Sequence, residues 1–99
     1  MKRSYAVFGL GEFGRSISRE LFKMGADVLA CDMDEMRTAA IADEVTTALV
    51  FNALDENAYK ELGLSYMDAV IVSMTGSLDA SILAIMAARE AGVKSVVAK

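Results

Sequence analysis

Three glycines and one carboxylate are the residues of this chain best suited to holding a ligand. Gly9, Gly11 and Gly14 form a Gly-x-Gly-x-x-Gly run at the end of the apolar stretch Ala6-Val7-Phe8. Asp32 closes a second apolar stretch, Val28-Leu29-Ala30-Cys31. Each glycine meets a separate need. Gly9 lets the chain turn sharply off a strand, Gly11 lets a pyrophosphate approach the backbone, and Gly14 lets the following helix pack close to that strand. The start of that helix offers unpaired N–H groups and the positive end of a dipole to an anion. An acid about 20 residues beyond such glycines is placed to accept hydrogen bonds from ribose hydroxyls. The chemistry is the grip on a phosphorylated nucleoside. The same residues also fit a plain βαβ unit, with the glycines serving packing and Asp32 capping the next helix.

Further candidates follow from the same arrangement. Leu10, Glu12 and Phe13 complete the glycine run, and Met33 stands next to Asp32. Asn52 and Ala53, just past a third apolar stretch, either flank a base edge or only make a turn. Ser73, Met74 and Thr75 follow a fourth stretch. The hydroxyls of Ser73 and Thr75 either line the pocket or cap the next helix, and Met74 sits in the same loop. Arg15 and Lys99 are the nearby cations. Glu12 faces phosphates or solvent and would disfavour a third phosphate in the absence of a divalent cation. Asp32 meets a 2′-phosphate with a carboxylate instead of an arginine, so NADP is disfavoured.

The elements that must position these residues alternate from end to end. Strands are predicted at Tyr5–Phe8, Asp27–Cys31, Val45–Val50, Ala69–Val72 and Val93–Ala98. A helix over Phe13–Met24 carries an apolar stripe at Phe13, Ile17, Leu21 and Met24, with Gly25 closing it. A second helix spans Asp34–Asp43. A third starts at the cap Asp55 and stops at Gly63, and a fourth runs from the cap Ser77 over Leu78–Glu90 to Gly92. Five strands alternating with helices predict an α/β fold. It is a Rossmann-like, doubly wound parallel sheet in the order 3-2-1-4-5, with helices on both faces. The ligand crevice then lies beyond the carboxyl ends of strands one and four.

Composition sets bounds. The 99 residues suit one domain, and the 55% hydrophobic content suits a sheet covered on both faces. A net charge of −4 disfavours general binding to nucleic acid or anionic membranes. With no histidine, Ser-His-Asp chemistry and histidine-ligated metal sites cannot be built, and the lone Cys31 excludes an internal disulfide. No apolar run reaches the length of a membrane span, and no signal-peptide pattern opens the chain.

The runs Val7-Phe8-Gly9-Leu10-Gly11-Glu12-Phe13-Gly14, Val28-Leu29-Ala30-Cys31-Asp32, Asn52-Ala53 and Ala69-Val70-Ile71-Val72-Ser73 resemble the N-terminal lobe of an RCK domain, the regulator of K⁺ conductance, also called KTN or TrkA-N. The resemblance covers nearly the whole chain. It implies a nucleotide-sensing regulatory subunit of a potassium channel or transporter, not an enzyme. Such a subunit binds NAD(H), ADP or ATP and lies in the cytoplasm beneath its membrane partner. It also implies assembly into dimers and octameric rings. Gly9, Gly11, Phe13 and Gly14 match the family's phosphate loop and Asp32 its ribose acid. Asn52 and Ala53 match its adenine turn, and Lys99 a basic residue that reaches the phosphates. Glu12 stands where ATP-responsive relatives carry arginine, which tilts the expectation toward NAD(H) or a diphosphate. The family's sixth strand and C-terminal lobe are missing, so 1–99 is expected to be the first lobe of a longer protein. The fourth helix is apolar on more than one face, so part of it is expected to pack on a second subunit. Two other classes remain open. One is the cofactor half of an NAD-dependent dehydrogenase. The other is an interaction module with an empty pocket.

Overall fold

β-Branched and small apolar residues build five short parallel strands: β1 (Ser4–Phe8), β2 (Asp27–Asp32), β3 (Thr47–Val50), β4 (Ala69–Val72) and β5 (Ser95–Ala98). The computed structural model describes residues 2–99, and Met1, ahead of the first strand, lies outside the described residues. The strands pair in the expected order β3-β2-β1-β4-β5. Phe8 stands level with Cys31 on one side and Val72 on the other, so the loops leaving β1, β2 and β4 emerge side by side.

Strand side chains alternate between two cores. Ala6, Phe8, Cys31, Val70 and Val72 face one layer, closed by Ala80, Ala84 and Ala88 of α3 (Leu78–Glu90). Val7, Val28, Ala30 and Ile71 face the other, with Leu10, Ile41, Ile17 and Leu21. That second layer is built by α1 (Glu12–Lys23) and α2 (Glu35–Ile41). The stops predicted at Gly25 and Gly92 hold. Gly25 donates to the Phe22 carbonyl while Ala26 donates to that of Leu21, and Gly92 and Val93 repeat the pattern on Arg89 and Ala88. These are the paired bonds of a Schellman closure.

Four details differ from the sequence expectation. The predicted stripe of α1 is rotated. Its fully covered residues are Gly14 and Ser18, Ile17 and Leu21 are half-buried, and Phe13 and Met24 are exposed. Small residues win that face because they let the helix axis approach β1. Second, no α-helix forms over 55–62. A 3-10 turn spans Ala58–Glu61 and another spans Leu64–Tyr66. Ala58, Lys60 and Leu62 each donate three residues back, to Asp55, Asn57 and Tyr59. The segment is too short to repay helix nucleation, and Tyr59 is anchored elsewhere. Third, Ser77 occupies the N-cap of α3 without a capping bond from its side chain. The Ser81 hydroxyl instead donates to the Ser77 carbonyl at 3.0 Å. Fourth, β3 and β5 start two residues later than predicted, since Val45 and Val93 turn into the cores.

The tightest packing lies where α1 meets β1. A Cβ on Gly14 would stand 1.8 Å from the Gly9 carbonyl oxygen. Backbone cannot yield as a flexible side chain would, so Gly14→Ala is expected to cost at least about 2 kcal/mol, the upper part of the overpacking range. Urea unfolding followed by circular dichroism checks this.

Candidate functional site

At the carboxyl edge of the sheet a cavity of about 240 Å³ opens between the loops that follow β1, β2, β3 and β4. Its base is aromatic, made by Phe8 at the end of β1 and Phe51 just past β3. Gly9 and Gly11 form one wall, and Asp32 and Met33 an adjoining one. Asn52, Ala53 and Leu54 lie toward the β3 edge, with Ser73, Met74 and Thr75 on the β4 side. The topology accounts for the place: the winding reverses between β1 and β4, and two neighbouring loops part there.

The three motif glycines are held for different reasons. Gly9 has φ +98°, and a Cβ there would meet the Ser73 carbonyl oxygen at 2.1 Å. Gly14 is closed off by Gly9 itself. Gly11 is neither strained nor crowded. Its φ is −70°, and nothing lies within 4 Å of where its Cβ would be. No contact among the described residues requires glycine at that position, yet Gly11 borders the cavity. It is also the N-cap of α1 and has no side chain to satisfy the first N–H groups of the helix. The first helical bond, from Arg15 to the Gly11 carbonyl, leaves the amides of Glu12, Phe13 and Gly14 ahead of it. This is the arrangement of an anion cradle, a bare wall beside an uncapped helix start. The exposed Glu12 in the first turn adds negative charge to the same end.

Asp32 ties two loops together. Its carboxylate accepts from the Leu10 amide at 2.7 Å and from the Asp34 amide at 2.9 Å. Each oxygen keeps lone-pair capacity for further donors. Arg37, on α2, stands 3.8 Å from both the Asp32 and Asp34 carboxylates. That is beyond hydrogen-bond range, and its half-exposed side chain lines the cavity. Asp34, read from the sequence as the first residue of the second helix, is instead the N-cap of α2, accepting from the Met36 amide at 2.8 Å.

The remaining candidates are distributed unevenly. Met33, Asn52, Ala53, Ser73, Met74 and Thr75 border the cavity together with Gly9, Gly11 and Asp32. Leu10 is fully buried and takes part through its amide alone. Glu12, Phe13 and Gly14 lie beside the lining, along the start of α1. Lys99 also lies outside the lining. Its ammonium rests 4.6 Å from the centroid of the Phe13 ring, and its amide donates to the Val72 carbonyl. Sequence reasoning passed over several lining residues, among them Phe8, Phe51, Leu54 and Arg37. Arg37 had a local signal, since it stands three residues past the cap Asp34 on the same helix face. The aromatic base had none, because Phe8 reads simply as the last residue of a strand and Phe51 as the first residue after one.

A doubly wound parallel sheet with a glycine-walled cleft at its switch point defines a Rossmann-type module of the dinucleotide-binding class. Comparison with known proteins narrows the class. The chain belongs to the TrkA-N domain family, whose model matches residues 5–99. It is 43% identical over 94 residues to Ktr system potassium uptake protein A of Vibrio alginolyticus, covering 95% of this chain and 43% of that protein. It is 38% identical over 99 residues to Ktr system potassium uptake protein C of Bacillus subtilis, covering all of this chain and 45% of the relative. The chain thus spans less than half the length of these relatives. Among solved structures, the NAD(P)-binding domain of an exopolyphosphatase-related protein from Archaeoglobus fulgidus superposes with TM-score 0.76. It shares 31% identity, over 97% of this chain and 72% of that one. The TrkA-N domain of the Escherichia coli inner membrane protein ybaL shares the fold, with TM-score 0.70 at 13% identity. That match covers 99% of this chain and 88% of the other.

Cys31 lines the cavity but is no nucleophile at neutral pH. Burial, and then the Asp32 carboxylate, push its thiol from 9.0 up to about 12. Burial, and then Cys31, push the Tyr59 hydroxyl from 10.0 up to about 12. Both groups stay neutral in the fold at a pH where the unfolded chain ionises them. The stability this contributes is complete below about pH 9 and is lost as the pH climbs toward about 12. Unfolding midpoints should therefore hold through neutral pH and fall above about 9, with Cys31→Ala flattening the first part of the fall. Urea titrations across the alkaline range check both.

Proposed function

We propose that this chain is the nucleotide-sensing lobe of a regulatory subunit of a potassium uptake system. It binds NAD(H), or ADP or ATP, in the cavity at the carboxyl edge of the sheet. The observation that carries the reading is the bare wall at Gly11, a glycine that neither strain nor packing within the chain explains. The amides at the start of α1 would hold the pyrophosphate. Asp32 would accept from the ribose hydroxyls, and the Asn52–Ala53 turn would meet the adenine. Asp32 and Asp34 set two carboxylates where a 2′-phosphate would lie, against the single Arg37. NADP is therefore the disfavoured ligand. Glu12 at the α1 terminus favours a diphosphate over a triphosphate. Lys99, stacked on Phe13, is near enough to the helix start to share the phosphate charge. The relatives' printed names point to potassium uptake, and binding rather than catalysis is the role we assign.

Regulation requires a ligand that favours one of two states, and a partner that reads the difference. No described helix is long and apolar enough to cross a membrane. The partner we assign, from the potassium-uptake names of the relatives, is a membrane transport subunit approached from the cytoplasm. Helix α3 is the surface that would read the change. Its sheet-facing stripe is Ala80, Ala84 and Ala88, while Leu78, Ile82 and Met86 are exposed at 74, 45 and 50%. These three large apolar residues stand four apart, on one helical face. We assign that face to a second copy of the chain.

Calorimetric titration is expected to give binding of NADH and ADP, weaker binding of ATP without magnesium, and weakest binding of NADPH. Silence from all four, or NADPH binding most tightly, overturns the reading. Gly11→Ala should lower ADP affinity at least about tenfold, a loss of about 1.4 kcal/mol, while shifting urea stability by under about 1 kcal/mol. Sedimentation velocity should show a dimer that Ile82→Glu returns to monomer.

A further inference from the structure

We propose that Tyr59, which lies beneath the cavity rather than in its lining, is the positioning residue for its base end. This rests on the nucleotide-binding reading above. The Tyr59 hydroxyl donates to the Ala53 carbonyl at 2.6 Å. The next amide in the chain, that of Leu54, donates to Asn52 Oδ1 at 3.0 Å. Ala53 C=O and Leu54 N–H belong to one rigid peptide plane. That plane is therefore gripped from both ends, by Tyr59 at its oxygen and by Asn52 at its nitrogen. The grip also sets the Asn52 amide. Because Leu54 N–H is a donor, the side-chain atom facing it must be the acceptor oxygen. The Asn52 amide nitrogen, with two N–H donors, is left for another partner, and Asn52 borders the cavity.

The ring of Tyr59 holds the rest of the floor. It meets Phe51 edge-on, with centroids 4.9 Å apart at 74°, and lies 5.5 Å from Phe8. Both phenylalanines line the cavity, and Phe8 and Phe51 are themselves 5.6 Å apart. Tyr59 is 4% exposed and packs in the layer closed by Ala80, Ala84 and Ala88. One buried side chain thus fixes the aromatic base and the Asn52–Leu54 turn together. The same reach back to Ala53 accounts for the 3-10 turn at Ala58–Glu61 in place of an α-helix. The consequence is base discrimination. A locked Asn52 amide presents only N–H donors, which suit the unprotonated N1 of adenine and oppose the N1–H of guanine, whereas a released one can turn its oxygen to the base instead.

The test compares ADP and GDP on the same protein by calorimetry, together with amide hydrogen exchange at Leu54. Wild-type protein is expected to prefer ADP at least about tenfold. Tyr59→Phe keeps the ring and removes the hydroxyl. It should cut that preference at least about fivefold and speed Leu54 exchange by about tenfold or more, relative to amides of the β-sheet. Asn52→Ala acts on the exposed end of the same plane and leaves the core alone. It should reproduce both effects, so the idea stays testable if Tyr59→Phe folds poorly. A residue with only a structural role would lower the melting temperature and leave the ADP-to-GDP ratio unchanged. An unchanged ratio in folded Tyr59→Phe overturns the proposal, and where Tyr59→Phe does not fold, an unchanged ratio in Asn52→Ala does so. If wild-type protein binds neither nucleotide, the nucleotide-binding reading fails first and takes this one with it.

Discussion

Backbone against backbone at the first turn is the constraint on which the rest of the structure depends. The Gly9 carbonyl sits against Gly14 so closely that not even a methyl group fits between them. The Gly9 amide donates to the Cys31 carbonyl at 2.9 Å, and the Leu10 amide to the Asp32 carboxylate at 2.7 Å. Four segments thus converge within a few residues: the end of β1, the start of α1, the end of β2 and the loop after β4. Any residue with a side chain at Gly9 or Gly14 would force them apart. Fold and cavity are therefore not separable here. The contact that lets α1 lie on the sheet also brings the helix terminus to the rim of the cleft.

Asp32 shows the same economy. Two backbone amides hold its carboxylate, which fixes its orientation. It is already a structural staple before any ligand arrives. Removing it would disturb the glycine turn and the start of α2 together. Gly11 is the opposite case, since none of the described residues comes near where its side chain would be. Within one motif, then, one glycine answers a conformation and a crowded neighbour, one answers a neighbouring carbonyl, and one opens space on the cleft.

Most of the architecture was legible because its signals are local or topological. The apolar runs mark β1, β2 and β4. Gly25 and Gly92 mark helix ends through the hydrogen bonds they permit, and Asp34 marks a helix start through its own side chain. Parallel strands joined by helices leave few arrangements, so the order of the sheet followed. The misreadings came where a distant contact outweighed a local preference. Asp55 to Leu62 has helical composition, but Tyr59 is drawn to Ala53, Phe8 and Phe51. The stripe of α1 was read by size, whereas β1 selects the small Gly14 and Ser18 for their closeness. Ser77 has the right type for a cap and the right place, yet its side chain makes no capping bond.

By itself the sequence determined a parallel, doubly wound sheet and the neighbourhood of its cleft. Hydrophobic period, glycine spacing and an acid at a strand end are properties of consecutive residues, and steric rules allow few ways to assemble them. Only the tertiary structure decided which glycines are needed for packing and which one opens space. It also decided that Lys99 lies over Phe13 and that a buried tyrosine underlies the cavity. Those outcomes depend on distances between residues far apart in the chain, and no local pattern encodes them before the sheet has brought its loops together.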